Sequence, residues 1–349
     1  MKICIIGAGF FGLHVANQIN KSFKKCEIEI LEANSAVFKG ASSNNQCRLH
    51  MGFHYPRSGY TVYQSILGFD RFLKDYSSAC NSIASNLYAI HNNGYVSAEK
   101  YFAVMDSFHL DYKYVDTPKI FKKKSDIEAV IEAPEQWIDL DKLKEILIKN
   151  FKGSIFLNNT VSDIDPECGK VFVNGKLFGE YDFIVNATYA YPNLGASEKF
   201  FDLKYELTAL VNCETNLSEN TAVTIMDGPF VSVYPSSKST HTLSSVIHTP
   251  FMTSQSQELV DENISNIDII ARNSDVKSNI CSHINEFLDI RISNDELWLA
   301  PKIKLASDHG DSRITEVKRE GKLMAVLCGK LDAAFSASDD LLREMSYEI

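Results

Sequence analysis

The chain has 349 residues, 45% of them apolar and 23% charged, enough to bury a sizeable core and unlike a disordered or fibrous protein. Forty-five Asp and Glu against thirty-five Lys and Arg give a formal charge of −10, which phosphate backbones and anionic lipid surfaces repel unless a basic patch is concentrated somewhere. The densest basic cluster is Lys122 to Lys124, most simply a solvated face, so no nucleic-acid partner is expected.

Lys2 to Ile6 is a short, apolar, β-branched run of the kind that forms a central parallel strand buried on both faces. Gly7-Ala8-Gly9-Phe10-Phe11-Gly12 then turns into a helix with Leu13, Ala16 and Ile19 on one side, and Glu27 to Leu31 alternates with period two before ending in Glu32. The first thirty-two residues thus read as β-α-β. Val62, Ile66, Phe69 and Leu73 predict a helix over 59–76, and Asp139 or Asp141 caps another that carries Leu143, Ile146 and Leu147. Residues 182–188 read again as a buried strand. From 205 to 248 the texture alternates, with a turn signal at Asp227-Gly228, which predicts an antiparallel sheet in a second domain. Met324 to Cys328 is a further strand. The fold class is α/β: a Rossmann-like nucleotide domain, discontinuous in sequence, plus an α+β substrate domain built on the antiparallel sheet.

The eight cysteines stand at least 21 positions apart, which excludes C-x-x-C redox and zinc-ribbon spacing and outlines no disulfide framework. Three glycines, then His14, Asn17 and Gln18, interrupt the apolar start without a small-residue cleavage pattern, so it does not read as an export signal. No segment reaches the roughly 18 apolar residues of a spanning helix. No integral membrane segment is expected, and a cytoplasmic location, with peripheral membrane association left open, is the expectation.

A lone G-x-G-x-x-G is weak evidence, but here it follows a strand, opens a helix and precedes an acidic residue twenty positions past Gly12. Gly7 permits the tight turn, Gly9 lets a pyrophosphate approach the positive helix N-terminus, and Gly12 lets helix pack on strand. Glu32 can accept from a ribose diol, while its charge disfavours the 2′-phosphate of NADP.

After this unit comes Gly40-Ala41-Ser42-Ser43-Asn44-Asn45-Gln46-Cys47-Arg48-Leu49-His50-Met51-Gly52-Phe53-His54-Tyr55. A small and polar stretch followed by Leu-His-x-Gly resembles the D-amino-acid-oxidase (DAO) superfamily of FAD-dependent oxidoreductases, in particular the branch with L-2-hydroxyglutarate dehydrogenase and FAD-linked glycerol-3-phosphate dehydrogenase. Asn186-Ala187-Thr188 resembles the family's Ala-Thr-Gly, Thr160-Val161 its adenine-contacting strand, and Cys328-Gly329-Lys330-Leu331-Asp332-Ala333-Ala334-Phe335 its closing segment before a C-terminal helix. Two departures stand out: Tyr189 where the family often has glycine, and Cys47 before the Leu-His piece. The resemblance implies FAD as cofactor, held by Gly7, Ala8, Gly9, Phe10, Phe11, Gly12, Glu32, Ala33, Ser42, Ser43, Arg48, Leu49, His50, Val161, Ala187, Thr188, Gly329, Lys330, Leu331 and Asp332. It also implies an FAD-binding domain from 1–75, 145–200 and 300–349, and a substrate domain from 76–144 and 201–299.

The implied reaction takes hydride from a CH–OH or CH–NH centre of a small polar substrate to flavin N5, with oxygen, quinone or another carrier as electron acceptor. His50 and His54, four apart and by resemblance beside the isoalloxazine, are candidates for the base, and scaffolding by His50 is the plainer alternative. A metal on this pair is disfavoured by Gly52 and the lack of neighbouring carboxylates, so no metal is expected. Arg57 and Arg313 offer bidentate forks for an anionic substrate, each with a surface ion pair as its plainer reading. Arg313 also belongs to the candidate catalytic set. Tyr55, Tyr234 and His248 complete the candidate substrate contacts. The rivals are an NAD-dependent dehydrogenase and a non-catalytic flavin-binding subunit of a complex.

Overall fold

Lys2–Ile6 runs through a six-stranded sheet, flanked in parallel by Phe183–Asn186 and Glu27–Leu31. Ser154–Phe156 continues the sheet in parallel on one side; on the other, Leu323–Leu327 is parallel and the edge strand Glu316–Glu320 antiparallel. The computed structural model describes residues 1–347 apart from 219, 256 and 308–314. Both faces of the sheet are covered, which is why its strands are continuously apolar rather than alternating. Ile3 and Ile5 pack with Leu13, Leu143, Leu147 and Leu341 of the helices Phe10–Ser22, Leu140–Asn150 and Ala334–Ser346. Cys4 and Ile6 pack with Val161, Val171 and Tyr181, which belong to or adjoin a three-stranded antiparallel sheet on the opposite face.

Of the two candidate caps before Leu140–Asn150, Asp139 is the one whose side chain accepts from the Lys142 N–H, while Asp141 sits in the first turn. This helix joins the nucleotide-side core through Leu143 and Leu147, so residue 144 falls inside an element. Residue 300 likewise falls inside the long strand Ile292–Leu305. The expected helix is observed as Gly59–Tyr76, capped by Ser58.

The second large sheet has nine strands. Its longest pair, Leu203–Thr215 with Ile292–Leu305, is antiparallel, as is most of the sheet. The expectation of a purely antiparallel arrangement over 205–248 meets one exception: Thr221–Met226 pairs in parallel with Ser85–His91. Both of these strands are buried almost throughout, the environment in which parallel pairs occur. One face of this sheet is apolar, with Val211, Val223, Val233 and Leu243 against Ile280 and Ile284 of the helix Val276–Phe287. On the other face Thr224, Ser232 and Ser244 hydrogen-bond to Arg48 and Gln46, and Tyr234 stacks on Arg48. This polar face roofs the segment that follows the β-α-β unit.

Candidate active site

The glycine turn is built as its spacing demands. Gly7 has φ +102, and a Cβ there would lie 2.8 Å from the Ala187 carbonyl oxygen; at Gly12 a Cβ would lie 2.0 Å from the Gly7 oxygen. Neither contact leaves room for a side chain. At Gly9 the only nearby group among the described residues is the Ser42 side chain, whose Oγ would be 2.8 Å from a Cβ, so here glycine keeps a hollow open at a helix N-terminus. Ser42 Oγ accepts from the Phe10 N–H at 2.9 Å.

Glu32 is buried at the end of its strand. Its carboxylate accepts from the Ala8 N–H (2.7 Å), the Asn34 N–H (2.8 Å) and Asn34 Nδ2 (2.7 Å). The chain beyond Ser154–Phe156 returns to the same place, with Asn159 N–H bonded to the Glu32 carbonyl and Asn158 N–H to that of Asn34. Val161 begins the next strand there. On the other flank, Ala187 N–H bonds to the Ile6 carbonyl, and the side chain of Asn186 accepts both the N–H and the hydroxyl of Thr188.

A second cluster gathers residues from three distant segments. The rings of His50 and His54 are 5.4 Å apart, and Tyr55 meets both, at 5.4 and 5.3 Å. Lys330 Nζ lies 4.8 Å above the Tyr55 ring, donates to Ser65 Oγ at 3.0 Å and pairs with Asp332 at 3.4 Å. Beneath His50 stands Glu135, 1% exposed. One of its oxygens accepts the Met51 N–H at 2.7 Å and lies 3.8 Å from His50 Nδ1, and the other accepts the Tyr88 hydroxyl at 2.5 Å. Burial alone would raise the Glu135 carboxyl, but His50, Tyr88 and the Met51 N–H together outweigh it and hold Glu135 below the usual range. Burial first, then the charge of Glu135, pushes the Tyr88 hydroxyl well above its ordinary value. An opening of about 80 Å³ adjoins this cluster, lined by His54, Tyr55, Arg57, Tyr95, Met226 and Asp227 among others.

A family model described as FAD dependent oxidoreductase (DAO) matches residues 2–253. The chain belongs to this family. It is 31% identical to FAD-dependent monooxygenase FPY4 of Fusarium mangiferae, over 97% of this chain and 89% of that protein. Its fold is similar to that of L-α-glycerophosphate oxidase of Mycoplasma pneumoniae with FAD bound (TM-score 0.72, 16% identity, 98% and 94% of the two chains). It is also similar to glycine oxidase of Bacillus cereus (TM-score 0.69, 12% identity, 98% and 95%). The protein is therefore an FAD-dependent oxidoreductase of the DAO family, and the NAD-dependent and non-catalytic readings fall away.

The residues present fit FAD. The hollow at Gly9 would be filled by any Cβ, it opens at the N-terminus of the Phe10–Ser22 helix, and Glu32 closes the strand where a ribose diol has to end. The structure brings most of the sequence-derived residues together in two groups: the glycine turn, Glu32, Ser42, Val161 and Ala187-Thr188 form one cradle, and His50, His54, Tyr55 and Lys330 form a second cluster. Several others have different surroundings. The side chains of Phe10 and Leu49 lie in the core, Phe10 against His14 and Phe72. Arg48 turns to the roof, where Nη1 donates to Thr224 Oγ1 at 2.9 Å and the guanidinium stacks 4.1 Å from the Tyr234 ring. Tyr234 is fully buried and donates to the Gln136 carbonyl. Arg57 is ion-paired with Asp227. His248 stands across the roof sheet from Tyr234, its ring 5.4 Å from that of His283, because Ser245 Oγ binds both the His248 N–H and His283 Nδ1 and draws the turn to the helix. Arg313 lies outside the described residues. Among the described residues no cluster suited to a metal is found, and no helix is long and apolar enough to cross a membrane.

Sequence reasoning missed Glu135, Tyr88, Asn34 and Ser65. Glu135 carried one faint signal, a carboxylate set between Ala133-Pro134 and Gln136-Trp137-Ile138. Tyr88 and Ser65 carried none.

Proposed function

We propose that this enzyme oxidises a CH–OH or CH–NH centre of a small polar substrate that bears a carboxylate or phosphate. The observation that supports this best is the meeting of His50, His54, Tyr55 and Lys330, with His54 and Tyr55 lining an opening that Arg57 also lines. FAD supplies the hydride acceptor, N5, when bound. Gly7, Gly9, Gly12 and Glu32 hold its dinucleotide, Val161 and Ala187-Thr188 flank it, and the segment Gly329 to Asp332 passes its reactive end. His50 takes the proton of the substrate O–H or N–H at its ring nitrogen Nε2 as the carbon is oxidised. Tyr55 and Lys330 bound the same space. Arg57 is the cation on the rim of the opening, and an anionic substrate group has to compete there with Asp227 for its guanidinium. The electrons leave to oxygen, a quinone or another carrier, since the chain has a single dinucleotide fingerprint.

The test is anaerobic bleaching of the bound flavin by a panel of glycine, L-proline, sn-glycerol 3-phosphate and 2-hydroxy acids, each beside a neutral analogue. Bleaching by an anionic member and not by its neutral analogue is the expected result. A flavin that dithionite reduces but no member of the panel bleaches would count against the reading. The name of the Fusarium relative favours a second reading, oxygen transfer to the substrate. The two separate by product: hydrogen peroxide or a reduced carrier from an oxidase or dehydrogenase, labelled oxygen in the organic product from a monooxygenase.

A further inference from the structure

The base assigned to His50 has two ring nitrogens, and only one can accept a proton while the other holds one. Nδ1 is the buried one: among the described residues it has no partner within hydrogen-bond distance, and the carboxylate oxygen Oε1 of Glu135 lies 3.8 Å away. The side chain as a whole keeps 14% exposure, so Nε2 is the nitrogen left to meet a ligand. Glu135 is placed independently of His50. The Met51 N–H and the Tyr88 hydroxyl donate to its two oxygens, and Tyr88 is itself fully buried in the strand Ser85–His91. A buried carboxylate that already takes two donors has acceptor capacity for a third, and His50 Nδ1 stands 3.8 Å from it.

We propose that Glu135, fixed by Tyr88 and the Met51 backbone, is the positioning residue that keeps the proton on His50 Nδ1 and so presents Nε2 as the proton acceptor. The proposal rests on the reading of His50 as base. In the step it serves, the substrate O–H or N–H bond breaks and its proton goes to Nε2, the carbon's hydride goes to FAD, and the positive charge that appears on the imidazole is balanced by the carboxylate of Glu135, which takes no proton itself. Glu135 touches neither substrate nor cofactor. Its role is that of a carboxylate behind a catalytic imidazole, which sets tautomer and orientation.

The measurement is the tautomer of His50 in the FAD-loaded protein, read from ¹⁵N shifts of labelled histidine at a pH where the ring is neutral, with His50→Asn identifying the signal among the nine histidines. The expected result is Nδ1–H in the wild type and in Glu135→Gln, whose amide oxygen can take the place of Oε1. In Glu135→Met, which has nearly the same shape and no strong acceptor, the Nδ1–H form is expected to be lost in favour of Nε2–H or a mixture. If Met at 135 unfolds the protein, the pair Tyr88→Phe/Glu135→Met, which removes one of the two orphaned donors, takes its place with the same outcomes. A proton on Nε2 in the wild type, or Nδ1–H unchanged without the acceptor, would overturn the proposal. Failure of the base reading shows elsewhere: His50→Asn would then bleach as fast as wild type whatever the tautomer.

Discussion

Glu32→Ala separates two roles that the sequence merges. The carboxylate is expected to meet the ribose diol, but the structure shows it already accepting from Ala8 N–H at 2.7 Å, and Ala8 is fully buried. Removing the carboxylate leaves that N–H without its partner in a place water does not reach, at a cost of about 1–3 kcal/mol, whereas Asn34 is exposed and finds water instead. Loss of a charged hydrogen-bond set to the diol adds roughly 1.5–3 kcal/mol to the free energy of FAD binding, a roughly 10- to 150-fold weaker affinity. Urea unfolding of the FAD-free protein reads the first effect, and flavin titration followed by fluorescence reads the second. Glu32→Gln keeps an oxygen for Ala8, so it should recover most of the unfolding free energy while FAD remains more weakly bound than in wild type. An unchanged unfolding free energy in Glu32→Ala would refute the clamp on the glycine turn, and unchanged FAD affinity would refute the ribose assignment.

Gly9→Val is expected to fold but purify colourless, because its side chain fills the hollow against Ser42; normal flavin absorbance would remove the turn from the site. Gly12→Ala has no such latitude, with a Cβ 2.0 Å from a backbone oxygen, and should lose about 3 kcal/mol of stability or fail to fold, read by urea unfolding. His50→Asn should keep FAD while slowing anaerobic bleaching by about 10²–10⁴-fold, and unaltered spectrum, affinity and rate would move the base to His54. Arg57→Lys keeps the charge and loses the planar fork, so KM for an anionic substrate should rise at constant flavin content, and an unchanged KM removes Arg57 from recognition. His14 is fully buried, with Nδ1 2.7 Å from the Tyr76 hydroxyl, and burial lowers its pKa to about 3 from 6.5. The fold therefore holds it neutral: its contribution is intact above pH 6.5 and falls as pH drops toward 3, by about 1.4 kcal/mol per pH unit. His14→Leu should flatten the stability profile between pH 6.5 and 4.5 by about that slope, and a parallel profile would refute the buried neutral state.

What could be read from the sequence divides along physical lines. The cradle was legible because its constraints are local: Gly7, Gly9 and Gly12 answer to a turn and a helix start within six residues, and the buried central strand shows as an unbroken apolar run from Ile3 to Ile6. The start of the helix Leu140–Asn150 was local too, narrowed to Asp139 or Asp141, of which the structure uses Asp139. Glu135 was not, since the N–H it accepts belongs to Met51, 84 residues away, and its hydroxyl partner Tyr88 lies on a strand of the other sheet. Arg57 reads the same in sequence whether it faces solvent or Asp227, 170 positions on. The parallel pairing of Thr221–Met226 with Ser85–His91 is likewise set by which strands meet, not by the composition of either.

The two departures from the resembled pattern share a backbone conformation. Tyr189 has φ +61 and Cys47 φ +56, the left-handed region that glycine enters freely and that costs another L-residue roughly 1–2 kcal/mol. So the backbone after Thr188 still makes the turn that glycine would make, and the strain is held by surrounding contacts. Tyr189 packs on the cluster of Phe201, Leu203 and Tyr205. Cys47 is buried, its N–H bonded to Asn45 Oδ1 at 2.8 Å and its carbonyl to the Ile138 N–H at 2.7 Å. That second bond ties the stretch before His50 to the strand Gln136–Ile138, directly after Glu135. The strained Cys47 thus helps to fix the stretch that leads into His50 against the strand that follows Glu135, and so bears on the distance between the imidazole and the carboxylate.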